Sequence, residues 1–301
     1  MKEIEPLVSI ITLNYNQAPV TLQFLQSTRN LRYSNYEILV CDMASDTDPG
    51  KLIHPEEFHQ TRLLRSPNNL GFAGGNNWGM QQAAGEYLFI VNNDTEVTPN
   101  LIGSLLAPFS ADPGIGVTCP KIKFFSQPDI IQYAGFNPMN PYTGRTSTVG
   151  EMMEDKGQYD RSGPTHGAHG CAMMVRRAVI EKTGMFPEKF FLYYEEWDWS
   201  ARILKAGYKI WYAAEAIIYH KESMSVGKQN PMKVYYHTRN RILFMRRNSD
   251  FVHLTVFYLF FIFVTIPKAI YTYLAKGQFL QLRLFMKGFF WNLHSSSASA
   301  V

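Results

Sequence analysis

Two amides and a carboxylate follow one of the most apolar stretches of this sequence. Asn92, Asn93 and Asp94 come directly after Tyr87–Val91, which has the pattern of a buried strand. Carboxylate and amide oxygens are ligands for hard divalent cations, and a cation held there can bind a diphosphate. The same residues can also form a turn before a helix that starts near Asn100. The cluster therefore indicates either a metal site or a helix cap.

Three carboxylates, those of Glu195, Glu196 and Asp198, fall within four positions of the segment FFLYYEEWDWSAR. A helix dipole favours acids in its first turn, so a solvated helix start is one interpretation. The aromatic neighbours indicate a cleft wall instead, where the pKa of a carboxylate can be tuned for general-base catalysis. Arg202 lies at i+4 from Asp198 and can orient it.

Two more polar side chains stand where predicted strands end. Asp42 follows Tyr36–Cys41 and can accept hydrogen bonds from a base or ribose, or cap the next helix. His220 ends the strand predicted over Lys209–Tyr219. A lone histidine has a structural role unless the strand brings it beside Asp94, where it could bind a metal.

The glycine-rich segment Gly71–Asn77 (GFAGGNN) does not indicate a Rossmann oxidoreductase. It lacks the GxGxxG spacing and follows the third predicted strand, not the first.

Strand and helix patterns alternate through the first 120 residues, which predicts an α/β fold with a doubly wound sheet. Ligands of such sheets bind at the carboxyl ends of the strands, where Asp42 and Asp94 stand. Residues 126–165 lack periodicity and are predicted to form a long loop region. The predicted strands are Leu7–Leu13, Tyr36–Cys41, Arg62–Leu64, Tyr87–Val91, Gly116–Phe124, Gly170–Val175 and Lys209–Tyr219. The predicted helices are Val20–Leu31, Ala73–Ala84, Asn100–Phe109, Ala178–Thr183 and Glu196–Ala206.

The composition excludes several protein classes. With 46% hydrophobic and 18% charged residues, the chain of 301 residues is neither disordered nor a disulfide-stapled miniprotein. Three widely spaced cysteines suit a reducing cytosol and do not form a zinc motif. The N-terminus has no signal-peptide pattern, so we expect the body to stay in the cytoplasm.

The charge of +4 is distributed unevenly. From Lys221 onward there are eleven Lys and Arg against two acids, whereas the first 220 residues carry 18 basic and 23 acidic side chains. The basic region contains the uncharged run Phe251–Ile266 and a mixed apolar stretch, Phe279–Leu293. Positive charges that flank long apolar runs indicate an anionic membrane surface rather than nucleic acid. We expect these helices to lie in the membrane plane, with one span over residues 251–274 or a buried helical hairpin as alternatives.

Taken in order, the clusters resemble family 2 glycosyltransferases, and closely their bacterial rhamnosyltransferase-like branch. The resemblance covers about residues 6–247. The resembling segments are VSIITLNYN, CDMASD, NNLGFAGGNN, FIVNND, HGCAMMVRR, FFLYYEEWDWSARILKAGY and IIYH.

The resemblance implies a GT-A fold, with a mostly parallel sheet, that binds a nucleotide-sugar donor. Asp94 matches the acid of the DXD-type motif that binds Mg²⁺ or Mn²⁺, and His220 a histidine that some members add to the metal. With only one acid in Asn92-Asn93-Asp94, metal affinity without donor is expected to be weak. The remaining donor-binding residues that it implies are Thr12, Asn14, Asp42, Gly74, Gly75, Asn77, Asn92 and Asn93.

On the acceptor side, the resemblance assigns the general base to Glu196, where the family usually has an aspartate. Because Glu is one methylene longer, Glu195 and Asp198 stay as alternatives for the base. The implied reaction is an inverting sugar transfer, from dTDP-rhamnose or a UDP-sugar, in surface polysaccharide biosynthesis. The acceptor would be a saccharide or a polyprenyl-linked glycan at the cytoplasmic face of the inner membrane. A catalytically silent sugar- or partner-binding scaffold is the alternative.

Three regions follow from this interpretation. Residues 1–247 form the GT-A domain, with a nucleotide-binding half over 1–120 and an acceptor-side half over 121–247. Residues 248–294 form membrane-associated helices, and 295–301 a disordered tail.

Overall fold

The computed structural model describes residues 5–221 and 231–299, which form one mixed sheet with helices around it. The strands are β1 Val8–Asn14, β2 Tyr36–Met43, β3 Thr61–Ser66, β4 Tyr87–Val91, β5 Thr95–Val97, β6 Ile115–Phe124, β7 Gln127–Tyr133, β8 Gly163–Thr165, β9 Ala172–Arg176 and β10 Lys209–His220. The helices are α1 Ala18–Thr28, α2 Gly71–Gln82, α3 Leu101–Ala111, α4 Arg177–Thr183, α5 Glu195–Lys205, α6 Pro231–Asn248, α7 Phe251–Phe260, α8 Ile266–Ala275 and α9 Phe279–His294.

The first four strands of the sheet are parallel, in the order β3-β2-β1-β4. Their apolar residues are almost completely buried because helices cover both faces of the sheet. Asn14 at the end of β1 lies in register with Asp42 of β2. The predicted doubly wound half and its polar carboxyl edge are therefore present.

Beyond β4 the sheet continues as β9-β6-β10-β5, and in this half parallel and antiparallel neighbours are mixed. β9 runs antiparallel to both β4 and β6, whereas β6 and β10 are parallel. A buried strand is an apolar run in either direction, so the sequence pattern does not encode this change.

The predicted loop over residues 126–165 also contains two strands. β7 pairs with β6 and β8 pairs with β10. β7 lies off the main path of the sheet and is exposed over its first half, which explains its weak hydrophobic signal.

Helices α6 to α9 share a second core with the start of α5. Its members are Phe190, Trp197, Ile242, Leu243, Phe244, Met245, Phe257, Phe261 and Phe285. α9 lies close against α6, because a Cβ at Gly288 would come within 2.8 Å of the carbonyl oxygen of Tyr235. The C-terminal helices are thus packed onto the body.

Residues Phe251–Ala275 form one continuous apolar helix, which we call the apolar helix; it comprises α7, a π-helical turn over Phe261–Thr265, and α8. By length and composition it is sufficient to cross a membrane. The π turn precedes Pro267, which has no N–H to donate to the preceding turn. Many of its apolar side chains are exposed, among them Phe263 at 72% and Tyr271 at 76%.

The last described residues differ from the predicted disordered tail. Ser295 and Ser297 accept hydrogen bonds through their carbonyl oxygens from Arg246 and Arg247, at 2.8 and 2.7 Å. Ser299 accepts one from the Lys189 backbone N–H at 3.2 Å. A small polar segment is held here because it satisfies donors of the body, which composition alone does not reveal.

Candidate active site

A buried polar network joins the ends of β1 and β2. Asn14 Nδ2 donates to Asp42 Oδ1 over 2.7 Å. The backbone N–H of Ser45 donates to Asp42 Oδ2 over 3.2 Å, and its hydroxyl donates to Oδ1. Arg65 Nε lies 3.2 Å from Oδ2. Because Asp42 is fully buried and both its oxygens are engaged, it orients Ser45 and Arg65.

These two residues face a cavity of about 360 Å³ at the ends of β2 and β3, lined by Ala44, Ser45, Arg65, Ser66 and Pro67. Arg65 is fixed there by a second bond, from Nη2 to the Ser45 carbonyl at 2.7 Å. A ligand in this cavity would contact Ser45 and Arg65. Asp42 could contact the ligand only if Ser45 or Arg65 moved.

The polar residues after β4 are tied to this network and to β9. Asn93 Nδ2 donates to Thr21 Oγ1 over 2.8 Å, and Thr21 Oγ1 donates to Asn14 Oδ1 over 2.8 Å. The Asn92 backbone N–H donates to the Cys171 carbonyl over 2.8 Å. Asn92-Asn93-Asp94 is therefore held between the end of β1 and the start of β9.

Asp94 and His220 form a buried pair at this edge. Asp94 Oδ1 and His220 Nε2 are 3.2 Å apart, yet neither atom makes a hydrogen bond. On the other side of the ring, His220 Nδ1 lies 2.8 Å from Gln132 Oε1. Because that oxygen can only accept, Nδ1 carries a proton, and Nε2 is the ring atom that faces Asp94. The structure thus places His220 beside Asp94.

The donor set fits a divalent cation with two protein ligands. A carboxylate oxygen and an imidazole nitrogen, both buried and unsatisfied, are common metal ligands, and Gln132 fixes the ring as a second partner. Burial lowers the pKa of His220, but Cys171 and Asp94 raise it well above its ordinary value, so a cation must displace a proton. Among the described residues, no group of three or more His, Cys, Asp or Glu side chains is placed to hold a metal ion. Substrate and water would supply the remaining metal ligands.

Glu195 and Glu196 lie nearby at the start of α5. Glu196 carbon atoms come within 3.9 Å of the Cβ position of Gly170, which precedes Cys171. Burial raises the pKa of Glu196 to about 7, although backbone N–H groups lower it. Burial and the Glu196 charge raise the pKa of Glu195 well above its usual range. Each has a buried Oε2 without a hydrogen bond. Glu196 is thus suited to accept a proton near neutral pH.

The turn before these acids is strained. Phe191, Tyr193 and Tyr194 have φ values of 64°, 69° and 73°, in the left-handed region. Asn240 Nδ2 holds this turn by donating to the carbonyls of Phe190, Leu192 and Tyr193 at 2.9, 2.7 and 2.7 Å. Strain of this kind persists only where the surroundings impose it, and it is frequent at active sites.

Asp198 is not available as a base. Arg247 Nε donates to its Oδ2 over 2.7 Å, Asn248 Nδ2 donates over 2.9 Å, and Arg202 Nε lies 3.3 Å from Oδ1. Asp198 is 1% exposed. Its charge is therefore neutralised by two arginines, and it anchors α6 to α5.

Gly74, Gly75 and Asn77, which are predicted to bind the donor, lie on α2 as the predicted helix Ala73–Ala84 implies, and all three are buried. A Cβ on Gly75 would lie 2.7 Å from Met43 Sδ, so Gly75 allows α2 to pack on β2. Gly74 is likewise buried, and Asn77 exchanges hydrogen bonds with the backbone of Phe186. The small residues here allow α2 to pack closely on the sheet. Thr12 is buried, and its Oγ1 has no hydrogen-bond partner.

Several side chains that support the predicted ones do not stand out in the sequence. Their only sequence signals are Ser45 within CDMASD and the polar ends of neighbouring strands. The missed residues are Thr21, Ser45, Arg65, Gln132 and Asn240.

Comparison with known proteins gives one family. A model described as glycosyl transferase family 2 matches residues 9–184, more than half of the chain. The chain is 25% identical over 271 residues to the N-acetylglucosaminyl-diphospho-decaprenol L-rhamnosyltransferase of Mycobacterium tuberculosis, covering 81% of this chain and 85% of that protein.

Solved structures agree in fold. A mannosyltransferase from Pyrobaculum calidifontis, in complex with GDP-Man and Mn²⁺, matches with a TM-score of 0.59 at 15% identity, over 98% of this chain and 77% of that one. GalNAc-T7 with UDP, GalNAc and Mn²⁺ matches with a TM-score of 0.61 at 17% identity, over 79% of this chain and half of that one. The GT-A fold is confirmed, and the chain belongs to family 2 of the glycosyltransferases.

Proposed function

We propose that this glycosyltransferase transfers a sugar from a nucleotide-diphosphate donor, with inversion at the anomeric carbon, to a lipid-linked saccharide at a membrane surface. One observation carries the proposal. Asp94 Oδ1 and His220 Nε2 face each other beside Cys171, and the carboxylate of Glu196, with its unpartnered Oε2, lies beside the neighbouring Gly170. A cation ligand set and a proton acceptor are thus on adjacent elements.

On the donor side, we assign nucleotide binding to the cavity lined by Ser45 and Arg65. Asp94 and His220 would hold Mg²⁺ or Mn²⁺. When bound, that cation would stabilise the charge of the leaving nucleotide diphosphate. The Mn²⁺ in the two solved neighbours supports this assignment. The rhamnosyltransferase relative favours dTDP-rhamnose among the donors, with UDP-sugars as the next candidates.

On the acceptor side, Glu196 takes the proton of the attacking hydroxyl as the new glycosidic bond forms. Burial and the charge of Glu196 raise the pKa of its neighbour Glu195, so an ionised Glu196 favours the protonated form of Glu195. A base on one side of the sugar and the leaving group on the other give in-line displacement. That geometry produces inversion.

We further propose that the acceptor is polyprenyl-linked and that the protein works at the cytoplasmic face of the membrane. The M. tuberculosis relative, whose name contains a diphospho-decaprenol acceptor, supports the first part. The exposed apolar helix supports membrane contact. Phe257 and Phe261 on one side of this helix are buried against the body, which favours an in-plane position over a span.

The test is a thermal-shift panel of nucleotides and nucleotide sugars on detergent-solubilised protein, with and without Mn²⁺. A ligand that binds only the native state raises its melting temperature. We expect Mn²⁺-dependent stabilisation by one nucleotide diphosphate, absent in Asp94→Asn and retained in Glu196→Gln. Glu196→Gln should lower kcat about 10²- to 10⁴-fold with that donor.

Two results would contradict the proposal. Stabilisation of Asp94→Asn equal to that of the wild type would remove the metal assignment. The folded wild-type protein could bind nucleotide but show no turnover across a full donor and acceptor panel. That result would favour the alternative of a non-catalytic scaffold, with which a Glu in place of the usual aspartate at position 196 is compatible.

A further inference from the structure

A second cavity, of about 340 Å³, lies where the C-terminal helices meet the body. It is separate from the cavity at β2 and β3 and shares no lining residue with it. Three cationic side chains and several aromatic ones line it. Those that matter here are Arg145, Lys233, Arg241, Tyr194, Phe261 and Phe285.

Arg241 is a buried cation with unused hydrogen-bonding capacity. It is 6% exposed, and its Nε donates to the Thr143 carbonyl over 2.6 Å. Its guanidinium carbon lies 5.6 and 5.5 Å from the ring centres of Phe257 and Phe261. Its Nη2 is buried and has no hydrogen-bond partner. A buried, unpaired donor of this kind is costly unless a ligand satisfies it.

The positive charge of the cavity is not balanced. Among residues 5–221 and 231–299, no acid lines the cavity, and none of Arg145, Lys233 and Arg241 makes an ion pair. Burial and the nearby charge of Arg145 lower the pKa of Arg241 to about 10. An anion with several oxygens would relieve this repulsion and accept a hydrogen bond from the free Nη2.

The cavity adjoins the proposed base through Tyr194. This residue lines the cavity, and in the chain it immediately precedes Glu195 and Glu196. Burial raises the pKa of its hydroxyl to about 12, and the charges of Arg241, Glu196 and Arg145 also act on this pKa. An anion in the cavity is therefore next to the acceptor side of the reaction.

The other wall of the cavity is apolar. Phe261, Thr265 and Tyr273 come from the apolar helix and Phe285 from α9. On the outer side of the same helix, Ile262, Phe263 and Val264 are exposed. A ligand with an anionic head and a long hydrocarbon chain matches this combination.

We propose that this cavity binds the diphosphate of the lipid-linked acceptor, with Arg241 as its buried ligand and Arg145 and Lys233 at its rim. The isoprenoid chain lies along the apolar helix. The bound diphosphate thereby fixes the acceptor sugar beside Glu196. This inference rests on the proposed function, and it names the part of the acceptor that the protein recognises.

The first experiment measures binding alone, with farnesyl diphosphate as the probe and the full chain in detergent. We expect saturable binding, and no comparable binding of farnesol or of inorganic diphosphate. Arg241→Gln should weaken the affinity about tenfold to a hundredfold, since a charged hydrogen bond is lost. Lys233→Gln and Arg145→Gln, at exposed positions, should each weaken it about two- to fivefold.

The controls separate this site from the donor site and from lipid headgroups. Arg283→Gln removes an exposed cation of α9 that does not line the cavity, and it should leave farnesyl diphosphate binding unchanged. All four variants should keep the wild-type Mn²⁺–nucleotide shift and melting temperature. If Arg241→Gln does not fold, Lys233→Gln with Arg145→Gln provides the same test from the rim.

The second experiment compares two acceptors with the same saccharide, one on a lipid diphosphate and one on an alkyl chain without diphosphate. The cavity variants should raise KM for the first by the factor found in binding and leave the second unchanged. Equal losses with both acceptors, wild-type affinity in folded Arg241→Gln, or an equal loss in Arg283→Gln would overturn the inference. Binding to phosphatidylglycerol vesicles that competes with farnesyl diphosphate would assign the cavity to a lipid headgroup. If no acceptor is used while farnesyl diphosphate still binds at Arg241, it is the proposed function that fails.

Discussion

The carboxylates of α5 show how neighbouring residues of one chemical type take different roles. Asp198 is surrounded by Arg202, Arg247 and Asn248, so its charge is fully compensated. Glu196 has no cation against its buried Oε2, so its charged form is disfavoured. The sequence indicates acids at these positions, but not which one the distant residues of α6 will neutralise.

The raised pKa of Glu196 gives a prediction for the pH dependence of activity. Below its pKa the carboxyl group carries a proton and cannot accept another, so activity depends on the ionised form. We expect kcat/KM for the acceptor to rise as pH increases through about 7, then to level off. The measurement is the pH profile at saturating donor and Mn²⁺.

The same assay contains its control. Glu196→Asp carries a shorter carboxylate and should keep part of the activity with a shifted midpoint, whereas Glu196→Gln should show no rising limb. A wild-type profile without a change around pH 7, on protein shown to stay folded, would assign the proton acceptor to another group.

At the scale of elements, α6 fixes the strained turn that presents the acids. The side chain of Asn240 satisfies three carbonyls, and Arg239 Nη2 donates to the carbonyl of Lys189 over 2.8 Å. The left-handed Tyr193 and Tyr194 depend on these contacts. The position of Glu196, the proposed base, therefore depends on α6, which lies outside the residues matched by the family model.

This arrangement predicts that Asn240→Ala lowers kcat more than it lowers donor binding. Loss of three hydrogen bonds to the turn, and of the one that Oδ1 accepts from Arg239 Nε, should reduce the free energy of unfolding by about 3 to 4 kcal/mol. Relaxation of the turn moves Glu196, so kcat should fall at least about tenfold with the Mn²⁺–nucleotide shift intact. Urea unfolding and steady-state kinetics measure the two effects.

Asn248→Ala is the matched control on the same helix. It removes one bond to Asp198, at 2.9 Å, and leaves the turn untouched. It should cost about 1 kcal/mol and leave kcat close to that of the wild type. Equal losses of kcat in both variants would show that general stability, and not the turn, determines activity.

Elements differ in how far their sequence predicts them. β1, β2 and β4 are uninterrupted apolar runs with polar ends, and their bounds follow within a few residues. Strand direction in the second half of the sheet, the packing role of Gly75, and β7 with Gln132 do not follow. These depend on contacts between distant residues, such as Gly75 with Met43, which no local pattern contains.

For the whole molecule, the distribution of exposed apolar side chains predicts where it binds a bilayer. Phe263 and Tyr271 are 72% and 76% exposed on the apolar helix, so charges there do not disturb the core. We expect Phe263→Glu with Tyr271→Glu to reduce flotation with anionic liposomes, because burial of two aromatic side chains is lost. The melting temperature should not change.

Tyr15→Glu and Phe125→Glu, at exposed aromatic residues of the body, form the control pair. They should float with liposomes like the wild type. Flotation that is unchanged in the first pair would locate membrane contact elsewhere.

The contacts of residues 295–299 affect how the protein can be handled. Arg247 binds the carbonyl of Ser297 and also Asp198 of α5, and Lys189, next to the strained turn, binds Ala298 and Ser299. Truncating the chain before Ser295 would therefore remove contacts that hold α5 and the turn before it. Loss of activity in such a shortened version would say little about the proposed active site.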